Sequence, residues 1–247
     1  MAQIFLDDAT VTFRVLSGQE KSLRRALVGS VIGGNVRHGP RGVVEVKALD
    51  SLSLAVEPGE RVGLMGSNGS GKTTLLRVLS RVYRPTSGMA TVEGSVTALS
   101  DIALGMNPEA SGIKNIFLRG ALIGMSKKEI KAHLDEIVDF SGLGDFIDMP
   151  MRTYSTGMQM RLSFAVSTVV APDIMIMDEW LAVGDEAFRE KAEERLTALV
   201  QGSKVLVLAS HSRALLEKVC TRGVILNHGT IARDGPIADV TPEYFGA

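Results

Sequence analysis

The chain has 247 residues, 27 of them basic and 28 acidic, for a net charge of -1. That length suits one large α/β domain or a core carrying an inserted subdomain, and the balanced charge gives no electrostatic reason to expect nucleic acid as a partner. Cys220 is the single cysteine, which excludes an intrachain disulfide and reads as a small buried apolar residue.

Met1 to Asp8 has no basic stretch leading into an apolar core, so no secretory signal is expected in it. Residues 4 to 15 alternate, with Ala9, Val11, Phe13 and Val15 on one face against Thr10, Thr12 and Arg14, the pattern of a half-buried strand. Residues 17 to 44 interrupt it: Gln19 to Ile32 can form a short helix, and Gly33-Gly34-Asn35 and Gly39-Pro40-Arg41-Gly42 are loop chemistry. Strand signals resume at Leu52, Leu54 and Val56 and end at Pro58-Gly59. This front section predicts an antiparallel sheet leading into the apolar run Arg61 to Met65, a buried parallel strand.

Gly66-Ser67-Asn68-Gly69-Ser70-Gly71-Lys72-Thr73 follows and matches G-x-x-x-x-G-K-[ST] at every fixed position. Glycines let the backbone wrap closely round an anion, the freed amides point at phosphate oxygens, and the next helix adds its positive end. Lys72 is placed to neutralise charge between the β- and γ-phosphates, and Thr73 to hold Mg2+, with Thr74 opening the helix to Arg81.

Pro85 to Gly88 is a turn, and Met89 to Leu99 reads as two short strands around Gly94. The texture then turns helical: Gly112 to Gly124, a helix opened by the capping box Ser126-Lys127-Lys128-Glu129, and another from about Gly157 to Val170, stopped by Pro172. The longest apolar run, Leu162 to Ala171, is broken by Ser163, Ser167 and Thr168 and falls short of the roughly 18 residues that span a membrane. A soluble, cytoplasmic chain is expected.

After the insert come a strand at Ile174 to Met177, a helix at Glu186 to Val200, a strand at Lys204 to Ala209, a helix at Arg213 to Val219 and a strand at Val224 to Leu226. Asn227-His228-Gly229 then turns the chain into a last short strand. Alternating strand and helix means a parallel sheet covered on both faces. The expected division is an α/β core over 1–99 and 171–247 and a helical subdomain over 100–170.

Asp178 and Glu179 close an apolar strand, where ligands gather in open α/β sheets. The pair is the expected complement of the phosphate loop: Asp178 toward Mg2+ through a water, Glu179 toward the water attacking the γ-phosphate. The plainer reading is two acids favoured by the positive start of a helix.

Tyr154-Ser155-Thr156-Gly157-Met158 resembles the Ser-x-Gly element of ABC transporter ATPases, which contacts the γ-phosphate held by the opposite subunit. Ser155 and Gly157 hold the matching positions, while Tyr154, Thr156 and Met158 depart from the commonest Leu-Ser-Gly-Gly-Gln form. The order along the chain is also that of the family: phosphate loop, helical insert, this element, carboxylate pair, then Ser210-His211-Ser212. His211 resembles the switch histidine of those ATPases, and Asp185 in Ala182-Val183-Gly184-Asp185 the aspartate of the loop that crosses their dimer interface.

Tyr-Ser-x-Gly-Met-x-x-Arg-Leu-x-Phe-Ala, Trp180 to Asp185 and Asn107 to Gly112 are similar to the branch that exports capsule, O-antigen and teichoic-acid polymers. The resemblance implies a P-loop NTPase fold with an N-terminal antiparallel β-subdomain and an inserted helical subdomain. It further implies an ATP-hydrolysing homodimer with ATP and Mg2+, peripheral at the cytoplasmic face of the bacterial inner membrane. A separate permease would carry the lipid-linked polysaccharide. Two departures stand out: no glutamine lies between Gln19 and Gln159, leaving Asn107 or Glu109 for that position, and no aromatic lies between Arg14 and Gly66 to stack on adenine. Lys47 sits near the expected place, and Phe13 is the nearest ring upstream.

Overall fold

The computed structural model describes residues 2–16, 35–38, 43–99, 105–180 and 186–246. The possible helix at 19–32 and the expected interface aspartate, Asp185, lie outside them. Contacts divide the chain into one unit of Met1–Ser95, Ile176–Glu179 and Lys204–Ala247 and a second of Val96–Met175 and Trp180–Ser203.

In the first unit, β1 (Gln3–Leu16) lies antiparallel between β3 (Val43–Val56) and β5 (Ser87–Glu93), with β2 (Asn35–His38) beyond β3. Asn35 thus opens a strand where its glycine neighbours predict loop, and β3 starts well before the apolar alternation at Leu52. The alternation also changes phase within β1. Ile4 and Leu6 are buried, and so are Ala9 and Val11, because a register shift at Asp8, with φ 47°, turns the strand over. Ser51, with φ 49°, does the same between Leu49 and Leu52 on β3. Hydroxyls replace ladder partners there: Asp8 N donates to Ser53 Oγ at 3.0 Å and Ser51 N to Thr10 Oγ1 at 3.0 Å.

The same unit contains β4 (Arg61–Met65), β8 (Val205–Ala209), β9 (Arg222–Asn227), β10 (Thr230–Pro236) and most of β7 (Ile174–Asp178), in the sheet order β10-β9-β4-β8-β7. β4 is parallel to both neighbours, with Val62 opposite Val207 and Arg222, while β9 and β10 form the antiparallel hairpin expected around Asn227 to Gly229. Val62, Leu64 and Met65 are fully buried, each worth about 1.5–3 kcal/mol in removed apolar surface. Helices α1 (Lys72–Leu79), α7 (Arg213–Val219) and α8 (Ile237–Phe245) complete the unit. Pro242 inside α8 hides that helix from the sequence pattern.

The second unit holds the short strand β6 (Val96–Ala98), α2 (Gly112–Leu122), α3 (Lys127–Ala132), α4 (Leu134–Ser141), α5 (Thr156–Ser167) and α6 (Glu186–Gly202). The capping box opens α3 as its sequence predicts: Ser126 Oγ accepts from Glu129 N while Ser126 N donates to Glu129 Oε2 at 2.7 Å. Ile116, Ile130, Ile137, Leu162 and Val166 form its core. The rings of Phe140, Phe164 and Phe188 meet with centroids 5.4 to 6.0 Å apart, and the Arg195 guanidinium stacks 3.8 Å from the Phe140 centroid while pairing with Glu136 at 2.8 Å.

Candidate active site

β4 delivers the chain to the phosphate loop at the edge where β7 and β8 also end. Gly71, with φ 109°, precedes α1 and supplies no side-chain cap, so the first amides of the helix have no capping side chain to satisfy them. A Cβ on Gly71 would lie 2.7 Å from Ala48 O, too close for any other residue. The Ser70 hydroxyl is buried and finds no hydrogen-bond partner among the described residues.

Lys72 is 8% exposed, and its Nζ donates to Gly66 O and to Ser67 O, the latter at 3.2 Å. Burial lowers its pKa, and the carboxylates of Asp178 and Glu179 partly offset that by favouring the charged form. Thr73 Oγ1 donates to Asp178 Oδ2 at 3.2 Å, which sets two hard oxygen donors side by side at the foot of the loop. That donor chemistry fits Mg2+, which takes few protein ligands when phosphates supply the rest.

Glu179 follows β7 in a left-handed conformation, φ 71°. Its amide donates to Ala209 O at 2.8 Å. Its carboxylate accepts from Ser210 Oγ at 2.9 Å and from His211 N at 2.8 Å, so the turn after β8 grips both oxygens. The sequence gives Ser210 no role of its own beyond its place beside His211, and the fold turns its hydroxyl onto Glu179. Ser212 caps α7, its Oγ accepting from Leu215 N, and so fixes the same turn.

Asn68, Gly69, Gly71, Lys72, Thr73, Thr74, Asp178, Glu179 and His211 line one cavity of about 150 Å³ together with Ala48. Pockets that enclose a drug-sized ligand run to roughly 300–1,000 Å³, so this one has room for phosphates and leaves base and sugar outside. Gly66 and Ser67 meet the cavity's lysine through their carbonyls. Farther up β1, Phe13 stands opposite Val46 and meets the Tyr83 ring edge-on at 5.5 Å. Lys47 is paired with Asp50 at 2.8 Å.

Ser155 and Gly157 belong to the helical unit. Ser155 caps α5, its Oγ accepting from Met158 N at 3.2 Å, and the space where a Cβ would sit on Gly157 is open apart from Ser155 Oγ at 3.9 Å. The tyrosine in place of leucine has a physical reason. Tyr154 is 5% exposed, its hydroxyl donates to Phe146 O at 2.6 Å, and Gly112 leaves room for it, since a Cβ there would stand 2.5 Å from the hydroxyl oxygen. Of the two candidates for the missing glutamine, Asn107 accepts from Glu109 N at 2.9 Å within its own loop, and Glu109 lies 3.6 Å from Arg152.

A family model described as ABC transporter matches residues 49–182. The chain belongs to the ABC transporter family. Its enzyme class is that of the ABC ATPases. It is 43% identical to the O-antigen export system ATP-binding protein RfbE of Yersinia enterocolitica, over 94% of this chain and 97% of that protein. It is 39% identical to the O-antigen export system ATP-binding protein RfbB of Myxococcus xanthus over 99% of this chain, but spans 56% of that relative's length. The teichoic acids export ATP-binding protein TagH of Bacillus anthracis is 38% identical over 80% of this chain and 36% of its own. Among solved structures, a dimeric post-hydrolysis state of the ATP-binding cassette MJ0796 bound to ADP and Pi superposes with TM-score 0.66 at 20% identity, over 95% of this chain and 98% of that one. Such a likeness establishes the α/β cassette fold of the family.

Proposed function

We propose that this chain is the nucleotide-binding subunit of an exporter of lipid-linked polysaccharide, of the O-antigen, capsule or teichoic-acid kind, and works as a homodimer beneath a separate membrane permease. The observation that carries this reading is the convergence of the phosphate loop, Asp178, Glu179 and His211 on one phosphate-sized cavity, in a chain whose relatives at 38 to 43% identity are ATP-binding proteins of O-antigen and teichoic-acid export. No helix among the described residues is long and apolar enough to cross a membrane, which suits a peripheral subunit at the cytoplasmic face.

In this reading the amides of residues 66–73 and the Lys72 ammonium hold the β- and γ-phosphates of ATP. Thr73 and, through a water, Asp178 would hold Mg2+, which would neutralise phosphate charge in the transition state. Glu179 takes the proton of the water whose oxygen bonds the γ-phosphorus as the bond to the ADP oxygen breaks. His211 contacts the γ-phosphate. Ser155 and Gly157 of the second protomer cover it from the other side, with Asp185 at the interface. The small cavity is then half of a site. Closure follows from differential binding: the γ-phosphate bridges two protomers only in the closed dimer, so its loss removes contacts from that state alone. Either base stacking is weak or Phe13 supplies it.

Surface and lipid-linked glycans compared between a wild-type strain and one carrying Lys72→Ala test the cargo. Intracellular accumulation of one polymer supports the assignment and identifies it. An unchanged glycan profile removes the polysaccharide reading and leaves lipid or drug export, import, or an ABC ATPase not tied to transport.

A further inference from the structure

The turn between β9 and β10 lies more than 150 residues after the phosphate loop in sequence, yet it touches that loop directly. Gly229 N donates to Ser70 O at 2.8 Å, and Gly229 O accepts from Asp50 N at 2.9 Å. Three stretches of backbone meet here: β3 at Ala48 to Asp50, the loop at Ser70 and Gly71, and the turn at Gly229.

The approach leaves no room for a side chain. A Cβ on Gly229 would lie 2.8 Å from Ala48 O and 3.1 Å from both Ala48 C and Leu49 Cα, and the residue has φ +83°. From the other side, Gly71 would place its Cβ 2.7 Å from the same Ala48 O and 3.5 Å from Gly229 Cα. The nearest of these atoms are backbone, so no change of rotamer relieves those clashes.

In a planar trans peptide the carbonyl and the following N–H point in opposite directions. The Ser70 carbonyl is tied to Gly229, so the Gly71 amide of the same peptide is turned the other way, and Gly71 lines the cavity. We propose that Gly229 is a positioning residue of the phosphate site: by holding the Ser70 carbonyl, it keeps the Gly71 amide aimed at the phosphates before nucleotide arrives. An amide already in place pays no ordering cost on binding. The inference rests on the reading of residues 66–73 as the triphosphate site.

The test is Gly229→Ala, with Mg-ADP affinity read by titration calorimetry and ATP turnover by steady-state kinetics. The Kd for Mg-ADP and the KM for ATP are expected to rise at least tenfold, with kcat at saturating ATP within about threefold of wild type. That split is expected because Glu179 is held separately by Ser210 and His211. Gly229→Asn must lose as much affinity: asparagine tolerates the left-handed backbone, but its Cβ still meets Ala48 O. Thr230→Ala removes the Oγ1 bond to Asn227 O and loosens the hairpin without filling the gap. It should lower Tm and leave nucleotide affinity unchanged.

Wild-type affinity in either folded glycine variant overturns the proposal, as does a lowered kcat with unchanged KM. Lys72→Ala separates the two levels. If it binds Mg-ADP normally, the phosphate-site reading itself fails; if it loses binding while the glycine variants keep theirs, only the role of Gly229 falls. Should neither glycine variant fold, hydrogen exchange in the wild-type chain decides. Saturating Mg-ADP should slow exchange of the Gly229 amide at least tenfold more than that of Ile231 in the same hairpin, and equal slowing overturns the proposal.

Discussion

Lys72→Met removes one ammonium and keeps an unbranched apolar side chain of similar length. Lys72 has three donors on Nζ, of which two are taken by Gly66 O and Ser67 O, leaving one for a phosphate oxygen. One hydrogen bond between charged partners is worth about 1.5–3 kcal/mol, so the affinity for Mg-ATP should fall roughly 10- to 150-fold. Without nucleotide the same ammonium is a liability. Burial lowers its pKa, and attraction to Asp178 and Glu179 offsets this only in part. A base whose folded pKa is depressed destabilises the fold in full below that value and in part up to its unfolded pKa. The penalty is relieved as pH rises from the folded toward the unfolded pKa. Relief of that penalty offsets the loss of the bonds to Gly66 O and Ser67 O, so nucleotide-free Lys72→Met should melt close to the wild-type Tm at pH 7, and should lose most of the Tm gain that Mg-ATP gives the wild type. Scanning fluorimetry with and without Mg-ATP, beside titration calorimetry, reads both quantities. Undiminished affinity, or a nucleotide-free variant melting well below wild type, would refute the reasoning.

Glu179→Gln should lower turnover by about 10²–10⁴ while still binding Mg-ATP, and should accumulate as a dimer; light scattering that finds a monomer at saturating Mg-ATP argues against the shared site. Ser155→Ala removes the cap of α5 and should cost about 1 kcal/mol of stability, against a few tenths for Ser155→Gly. Both variants should lose ATPase activity to a similar extent if the hydroxyl reaches the partner's phosphate, and activity that instead follows the melting curves would assign Ser155 to the helix alone. Burial pushes the Cys220 thiol up to about 12, so at pH 8 only roughly one molecule in ten thousand carries the thiolate. Iodoacetamide should label the unfolded chain and spare the native one, and rapid native labelling would contradict the burial.

Local chemistry made much of this molecule legible in one dimension. Arg61 to Met65 is apolar without a break because a parallel strand is covered on both faces, and the phosphate loop is spelled by residues whose roles are local to eight positions. Ser126 and Glu129 complete their capping box within one turn of helix. The strands β1 and β3 were harder to read, since Asp8 and Ser51 reverse the inward face through bulges whose missing ladder bonds are filled by Thr10 and Ser53. Nothing in the spacing of Asp8 announces a turn. Pro242 argues against a helix locally, and α8 forms around it, with the single proton of Thr241 Oγ1 shared between Ile237 O and Glu217 Oε1.

By itself the sequence determined most of the strands and helices from β4 to β10, the phosphate loop, the carboxylate pair and the family, because each is written in contiguous residues of distinctive type. Tertiary structure decided how those pieces are held. Ser210 and the His211 amide fix the Glu179 carboxylate, Tyr154 takes the room that Gly112 leaves, and Gly229 bonds the loop from a place where Ala48 of β3 leaves no room for a methyl group. These are contacts between backbone atoms and between side chains far apart in the chain. A glycine in a hairpin reads as a turn residue until the fold shows which carbonyl stands where its Cβ would be.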